Sequence, residues 1–104
     1  MSRTKKNLDG DVATLTKPKT KRPKLFKVLL HNDDYTPMEF VTVVLINVFH
    51  KTYDEATYIM LTVHRKGHGL CGAFPYEVAE SKVSKVMEMA KAQGHPLLCT
   101  MEPE

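Results

Sequence analysis

Three short apolar runs, separated by longer segments with helical periodicity, limit what this chain can fold into. The runs are LFKVLLHN from Leu25, HGLCGAF from His68 and PLLCTM from Pro96. Each run is bounded by turn-forming residues and is six to eight residues long, so each predicts a short β-strand. A helix or a sheet must bury its apolar face against another element, so the helical segments are expected to cover the strands.

The segment after the first strand predicts a helix with a well-defined start. In TPME, Thr36 suits the N-cap, Pro37 the first helical position and Glu39 the third, which together make a capping box. The first helix is therefore expected to run from Pro37 to about His50.

Two further helices are expected. The second begins near Asp54, a good N-cap residue, and ends at Gly67. The third runs from Pro75 to about Gln93. Their apolar side chains recur at helical spacing, at Ala56, Ile59, Met60 and Val63 in the second helix and at Ala79, Val83, Val86 and Ala90 in the third.

The predicted order of elements is strand, helix, helix, strand, helix, strand. This order favours an α+β fold, a small two-layer sandwich in which three helices cover one face of a three-stranded antiparallel sheet. A chain of 104 residues fits one domain of this kind.

Charge is distributed unevenly along the chain. Residues 1–24 carry eight Lys or Arg and two Asp, whereas residues 25–104 carry seven Lys or Arg and ten Asp or Glu. Because the first segment also lacks an amphipathic period, it cannot offset its ordering entropy by burial. We expect a flexible basic N-terminal extension over residues 1–24 and a folded core over residues 25–104.

No segment resembles a membrane span or a secretory signal. The longest apolar stretch, FVTVVLINVF from Phe40 to Phe49, is much shorter than the roughly 20 residues that a spanning helix needs. The basic residues at the start are not followed by an apolar run. These features predict a soluble, cytoplasmic protein.

The sequence offers no pattern for a metal site or a catalytic centre. His64 and His68 are four residues apart, but Gly67 is expected to end the helix between them, and Cys71 and Cys99 form no CxxC pair. No activated nucleophile or phosphate-binding loop is present. We expect neither metal nor cofactor, and no enzymatic activity.

The segment NDD, residues 32–34, places several oxygen acceptors directly before the first predicted helix. One interpretation is an Asx-type turn that only starts the helix. The other is a binding site for an ammonium group, because Met60, Val63 and His64 would share one edge of the second helix. An apolar patch beside acceptors would suit a free amino terminus with a large apolar first side chain. The residues alone leave both interpretations open.

Several spaced motifs closely resemble the ClpS family. They are NDDYTPMEFV from Asn32, MLTVH from Met60, CG and F at 71–74, EVAESKV from Glu77 and HPLLCTME from His95. The resemblance covers residues 25–104. It implies a non-enzymatic adaptor that binds N-degron substrates and delivers them to the ClpA unfoldase of the ClpAP protease.

The resemblance also implies roles for individual residues. It assigns binding of the substrate's α-amino group to Asn32, Asp34 and His64, and it implies that Asp33 adds to the negative electrostatic potential there. It assigns the wall of a pocket for Leu, Phe, Tyr or Trp to Thr36, Met38, Val41, Met60, Val63 and Leu97. It places Glu77 and Lys82 against the N-terminal domain of ClpA, and it implies a monomer.

An alternative function rests on the basic extension alone. Eight Lys or Arg within 24 residues could bind a nucleic acid or a ribosome. The predicted core has neither a basic face nor interleaved aromatic residues, so the adaptor remains the preferred hypothesis.

Overall fold

A computed structural model of the protein describes residues 23–104, so the predicted extension lies almost entirely outside the described residues. The elements follow the predicted order. They are β1 (Leu25–His31), α1 (Met38–Asn47), α2 (Tyr53–Lys66), β2 (His68–Pro75), α3 (Tyr76–Ala92) and β3 (Leu98–Pro103).

The three strands form one antiparallel sheet with β1 in the centre and β2 and β3 on either side. Val28 and Leu30 of β1 are fully buried and point to the face that the helices cover. The α2 helix packs on β2, α3 packs across the strands, and α1 packs on α2. The predicted α+β sandwich is confirmed.

The start of α1 differs from the prediction. The helix begins at Met38, Pro37 occupies the N-cap position, and no side chain caps the helix. The predicted capping box is wrong because the amide of Thr36, from which Glu39 would accept in such a box, donates to Oδ1 of Asp33 at 2.7 Å. The helix also ends at Asn47, and His50 lies beyond it with a positive φ of 56°.

The start of α2 also differs from the prediction, because the capping residue is Thr52 and not Asp54. The Thr52 hydroxyl oxygen accepts from the backbone amide of Glu55 at 3.1 Å, and the Glu55 carboxylate accepts from the amide of Thr52 at 2.9 Å. This is a complete capping box. The predicted end of the helix is confirmed, since Gly67 follows Lys66 in the left-handed conformation at φ 94°.

No helix within residues 23–104 combines the length and the apolar character that crossing a membrane requires.

Candidate functional site

An open cavity of about 280 Å³ lies where β1 ends, α1 begins and α2 makes its last turns. The sequence predicted all the residues that line it. They are Asn32, Asp33, Asp34, Thr36, Met38, Val41, Met60, Val63 and His64. Leu97, the other predicted wall residue, is not part of this lining and is buried in the core with 2% of its surface exposed.

A backbone hydrogen bond brings the two halves of the cavity together. The amide of Asn32 donates to the carbonyl oxygen of Gly67 at 2.8 Å, so the end of β1 is held against the end of α2. His64 lies in the last turn of α2, just before Gly67. The chain therefore places Asn32 and His64 beside the same cavity although they are 32 positions apart.

Asp33 organises the loop of residues 32–36, called the acceptor loop below. Its Oδ1 accepts from the backbone amides of Tyr35 and Thr36 at 2.8 and 2.7 Å, and its Oδ2 accepts from the Thr36 hydroxyl at 2.7 Å. The carboxylate is thus occupied by its own loop. The Asx-type turn predicted as one of two alternatives is present, and it is built by Asp33.

The protonation of Asp33 reflects these contacts. Partial burial of Asp33 raises the pKa of its carboxyl group, but the hydrogen bonds from Thr36 and Tyr35 and the nearby His95 outweigh that effect. The pKa therefore lies below its ordinary value. The charged form of Asp33 stabilises the folded loop.

Asn32 and Asp34 are exposed neighbours of this turn and face the same cavity. Their amide and carboxylate oxygens are acceptors, and the exposed ring of His64 adds a nitrogen that accepts when the ring is neutral. One end of the cavity therefore carries three groups that can accept from a cation. The turn and the alternative ammonium site are compatible because different side chains provide them.

The other end of the cavity is apolar and is anchored in the core. Val41 and Val63 are buried, with 6% and 3% of their surfaces exposed, and Met60 packs against the core with partial exposure. Met38, at the first position of α1, is 42% exposed. Fixed valines thus form the floor, and Met38 borders the opening.

Glu77 and Lys82, the residues predicted to face a partner, lie on a second surface. They line a groove of about 560 Å³ between the end of α1 and the first turns of α3. Its lining residues are Asn47, Val48, Glu77, Val78, Ser81, Lys82 and Lys85. The cavity and the groove use opposite ends of α1.

Lys82 has a structural role that the sequence did not reveal. Its ammonium group donates to the carbonyl oxygen of Val48 at 2.8 Å, just after the end of α1. The same nitrogen lies 5.2 Å from the centre of the Phe74 ring and 5.7 Å from that of Phe49. Lys82 therefore joins α3 to the end of α1.

Among residues 23–104, no group of three or more His, Cys, Asp or Glu side chains could hold a metal ion. Cys71 and Cys99 are unpaired and buried, and neither lines the cavity. What the cavity offers chemically is a set of hydrogen-bond acceptors next to an apolar floor.

The described residues form a small α+β domain with an open cavity that has hydrogen-bond acceptors at one end and an apolar floor at the other. The family model described as "ATP-dependent Clp protease adaptor protein ClpS" matches residues 21–100. The chain therefore belongs to the ClpS family of adaptor proteins of the ATP-dependent Clp protease.

Individual relatives agree with the family model. The ATP-dependent Clp protease adapter protein ClpS of Parvibaculum lavamentivorans is 63% identical over 93 residues, which is 89% of this chain and 84% of that protein. The ClpS of Rhodospirillum centenum is 58% identical over 93 residues, or 89% of this chain and 86% of the relative.

A solved structure is similar as well. It is Agrobacterium tumefaciens ClpS2 bound to L-phenylalaninamide, which is 47% identical with a TM-score of 0.77. The match covers 80% of this chain and 100% of that one. At this identity and TM-score the two proteins share their fold.

Proposed function

We propose that the protein is a non-enzymatic adaptor that binds N-degron substrates and delivers them to the ClpA unfoldase of the ClpAP protease. In this proposal the cavity binds the free α-amino group and the side chain of a first residue that is Leu, Phe, Tyr or Trp. The protein would act as a monomer in the cytoplasm. The observation that supports this proposal most directly is that exposed hydrogen-bond acceptors and an apolar floor lie in the same cavity.

The acceptor end suits a terminal ammonium group. An α-amino group has a reference pKa of about 7.7–8.0, so near neutral pH it is largely charged and offers three donors. Asn32, Asp34 and His64 can each take one of them. Hydrogen bonds to charged groups contribute roughly 1.5–3 kcal/mol each.

The apolar end suits one large side chain. Full burial of a Leu or Phe side chain contributes roughly 1.5–3 kcal/mol. Micromolar affinity requires about 8 kcal/mol after the cost of association. Neither end of the cavity reaches that value alone, so binding needs both the amine and the side chain. Internal Leu residues and N-terminal Asp or Lys should therefore be rejected.

The ligand of the similar ClpS2 structure supports this assignment. L-phenylalaninamide combines a free α-amino group with an aromatic side chain and has an amide in place of the next peptide bond. It therefore has the chemistry of the first residue of a peptide that begins with Phe. The lining of the cavity matches both parts of such a molecule.

Delivery requires a second contact, which we assign to the groove that contains Glu77 and Lys82. The N-terminal domain of ClpA is the proposed partner. Because the groove adjoins the last turn of α1 and the cavity adjoins its first turn, a substrate and the unfoldase could be bound at the same time.

Fluorescence polarisation with three peptides of equal length tests the binding function. The first begins with Phe, the second is its N-acetylated form, and the third carries the same Phe one position further along behind Gly. Only the first should bind with micromolar or tighter affinity. Equal binding of the acetylated peptide would show that the amine is not recognised, and the proposal would then be wrong.

A further inference from the structure

Two of the side chains that line the cavity are thioethers. Met38 borders the opening with 42% of its surface exposed, and Met60 lies deeper with partial exposure. A methionine side chain can be oxidised to a sulfoxide, which replaces an apolar sulfur with a polar, chiral group. The cavity is therefore bordered by a group whose polarity can change.

The cysteine sulfurs of the core are poor competitors for an oxidant. Cys71 and Cys99 are both buried. Burial raises the pKa of the Cys71 thiol far above its ordinary range and raises that of Cys99 to about 12. Because the thiolate is the reactive form, both thiols are chemically shielded. In the described part of the chain, Met38 and Met87 are the most exposed sulfur side chains, at 42% and 38%.

We propose that Met38 is an oxidative modification site and that its sulfoxide weakens the binding of N-terminal apolar residues in the cavity. This inference rests on the proposed function. The oxidant is hydrogen peroxide. The sulfur lone pair attacks one peroxide oxygen, the S–O bond forms as the O–O bond breaks, and the departing hydroxide takes up the remaining proton as water. Sulfur is oxidised by two electrons and the peroxide is reduced.

Oxidation of Met38 should affect binding because of where this residue lies. It is the first residue of α1, and its carbonyl oxygen accepts a hydrogen bond from the hydroxyl of Thr42 at 3.2 Å. The buried Val41 anchors the same turn in the core. Because the backbone is held, the sulfoxide stays at the border of the cavity. A bound apolar side chain would remove water from the new oxygen without offering a donor, which should weaken binding by about tenfold or more.

The change should also be reversible. Methionine sulfoxide reductases return the sulfoxide to the thioether at the expense of a thiol reductant. Treatment of the oxidised protein with such a reductase and dithiothreitol should therefore restore its affinity.

The experiment uses the full chain without a tag and a fluorescent peptide that begins with Phe and contains no sulfur. The protein is treated with hydrogen peroxide, the peroxide is removed, and peptide mapping by mass spectrometry locates each sulfoxide. Circular dichroism checks the fold. The measured quantity is the ratio of Kd after and before treatment, for the wild type and for two variants. Met38→Leu removes the proposed site, and Met87→Leu removes a thioether of similar exposure on α3, away from the cavity.

The proposal expects a Kd ratio of about ten or more for the wild type and for Met87→Leu, and a ratio near one for Met38→Leu whatever its own starting affinity. Three results would overturn it: a folded wild type that carries the Met38 sulfoxide and binds as before, Met38 left unmodified, or an equal loss in Met38→Leu. If the untreated wild type fails to bind, the proposed function fails and this inference falls with it.

Discussion

The backbone amide of Asn32 donates a hydrogen bond of 2.8 Å to the carbonyl oxygen of Gly67, which joins the acceptor loop to the end of α2. Gly67 also closes that helix, because its own amide donates to Val63 at 2.9 Å. One left-handed glycine therefore ends the helix that carries His64 and holds the loop that carries Asn32. The same glycine thus connects the two halves of the candidate site.

The role of Asp33 can be separated into geometry and charge. Asp33→Asn keeps an oxygen that can accept from the amides of Tyr35 and Thr36, whereas Asp33→Ala leaves these donors without their partner. We expect Asp33→Ala to lose about 1–3 kcal/mol of folding stability and to bind an N-terminal Phe peptide at least tenfold more weakly. Asp33→Asn should bind close to the wild type and should lose less stability than Asp33→Ala, because it removes only the contribution of the charge. Equal loss of binding in the two variants would show that Asp33 acts mainly through its charge.

The same residue predicts how stability depends on pH. The pKa of Asp33 is lowered in the folded protein, so its ionisation stabilises the fold above the unfolded-state value of about 3.9. That contribution should disappear as the pH falls through the folded pKa. Urea unfolding of the wild type and of Asp33→Asn between pH 7 and pH 2.5 measures it. The difference between the two should shrink towards low pH, and a constant difference would contradict the prediction.

Local pattern was sufficient for the order of the elements, and the family resemblance for the residues that line the cavity, but neither was sufficient for the N-caps of α1 and α2. The spacing T-x-x-E occurs twice, in TPME and in TYDE. Only Thr52 forms a capping box, because Asp33 accepts from the Thr36 amide that Glu39 would otherwise bind. Two equivalent local patterns therefore differ through a competing acceptor that the spacing does not encode.

Long-range contacts explain the other differences. Lys82 donates to Val48, 34 positions away, and nothing near either residue in the sequence indicates this bond. The resemblance placed Leu97 in the pocket wall, whereas the structure buries it in the core, outside the lining of the cavity. Periodicity identifies a buried face, whereas the packing of elements decides what that face contacts.

Asp34 is expected to contribute to binding without contributing to the fold. Its side chain is exposed and lines the cavity. The free energy of unfolding of Asp34→Ala should therefore lie within about 0.5 kcal/mol of the wild-type value. Loss of a charged acceptor should weaken peptide binding by roughly 1.5–3 kcal/mol, or about ten- to hundredfold. Asp54→Ala, which removes an exposed carboxylate from α2 outside the cavity, is the matched control. Unchanged affinity in folded Asp34→Ala would remove Asp34 from the site.

Lys82 should affect stability as well as partner binding. Lys82→Met keeps most of the side-chain stem but removes the donor to Val48 and the cation above the two Phe rings. We expect a loss of about 1–2 kcal/mol, measured by urea unfolding. Lys85→Met removes an exposed lysine from the same groove and should change stability by less than about 0.5 kcal/mol. If both variants are equally stable, the hydrogen bond to Val48 contributes little.

Gly69 controls how closely β2 approaches α2, and therefore where the floor of the cavity lies. A Cβ atom at Gly69 would lie 2.7 Å from Cγ2 of Val63 and 3.4 Å from the carbonyl oxygen of Ile59. Gly69→Ala should thus push the strand and the helix apart at a residue that lines the cavity. Overpacking of this kind costs about 1–3 kcal/mol, and peptide binding should weaken with it.

A second substitution tests whether this steric contact is the cause. Val63→Ala removes the methyl group that the new Cβ would meet, and by itself it should destabilise the protein because Val63 is buried. If the contact explains the effect of Gly69→Ala, the double variant should be at least 0.5 kcal/mol more stable than the sum of the two single losses predicts, since neighbouring substitutions couple by about 0.5–3 kcal/mol. Strictly additive losses in urea unfolding would mean that the contact with Val63 is not the cause of the effect of Gly69→Ala.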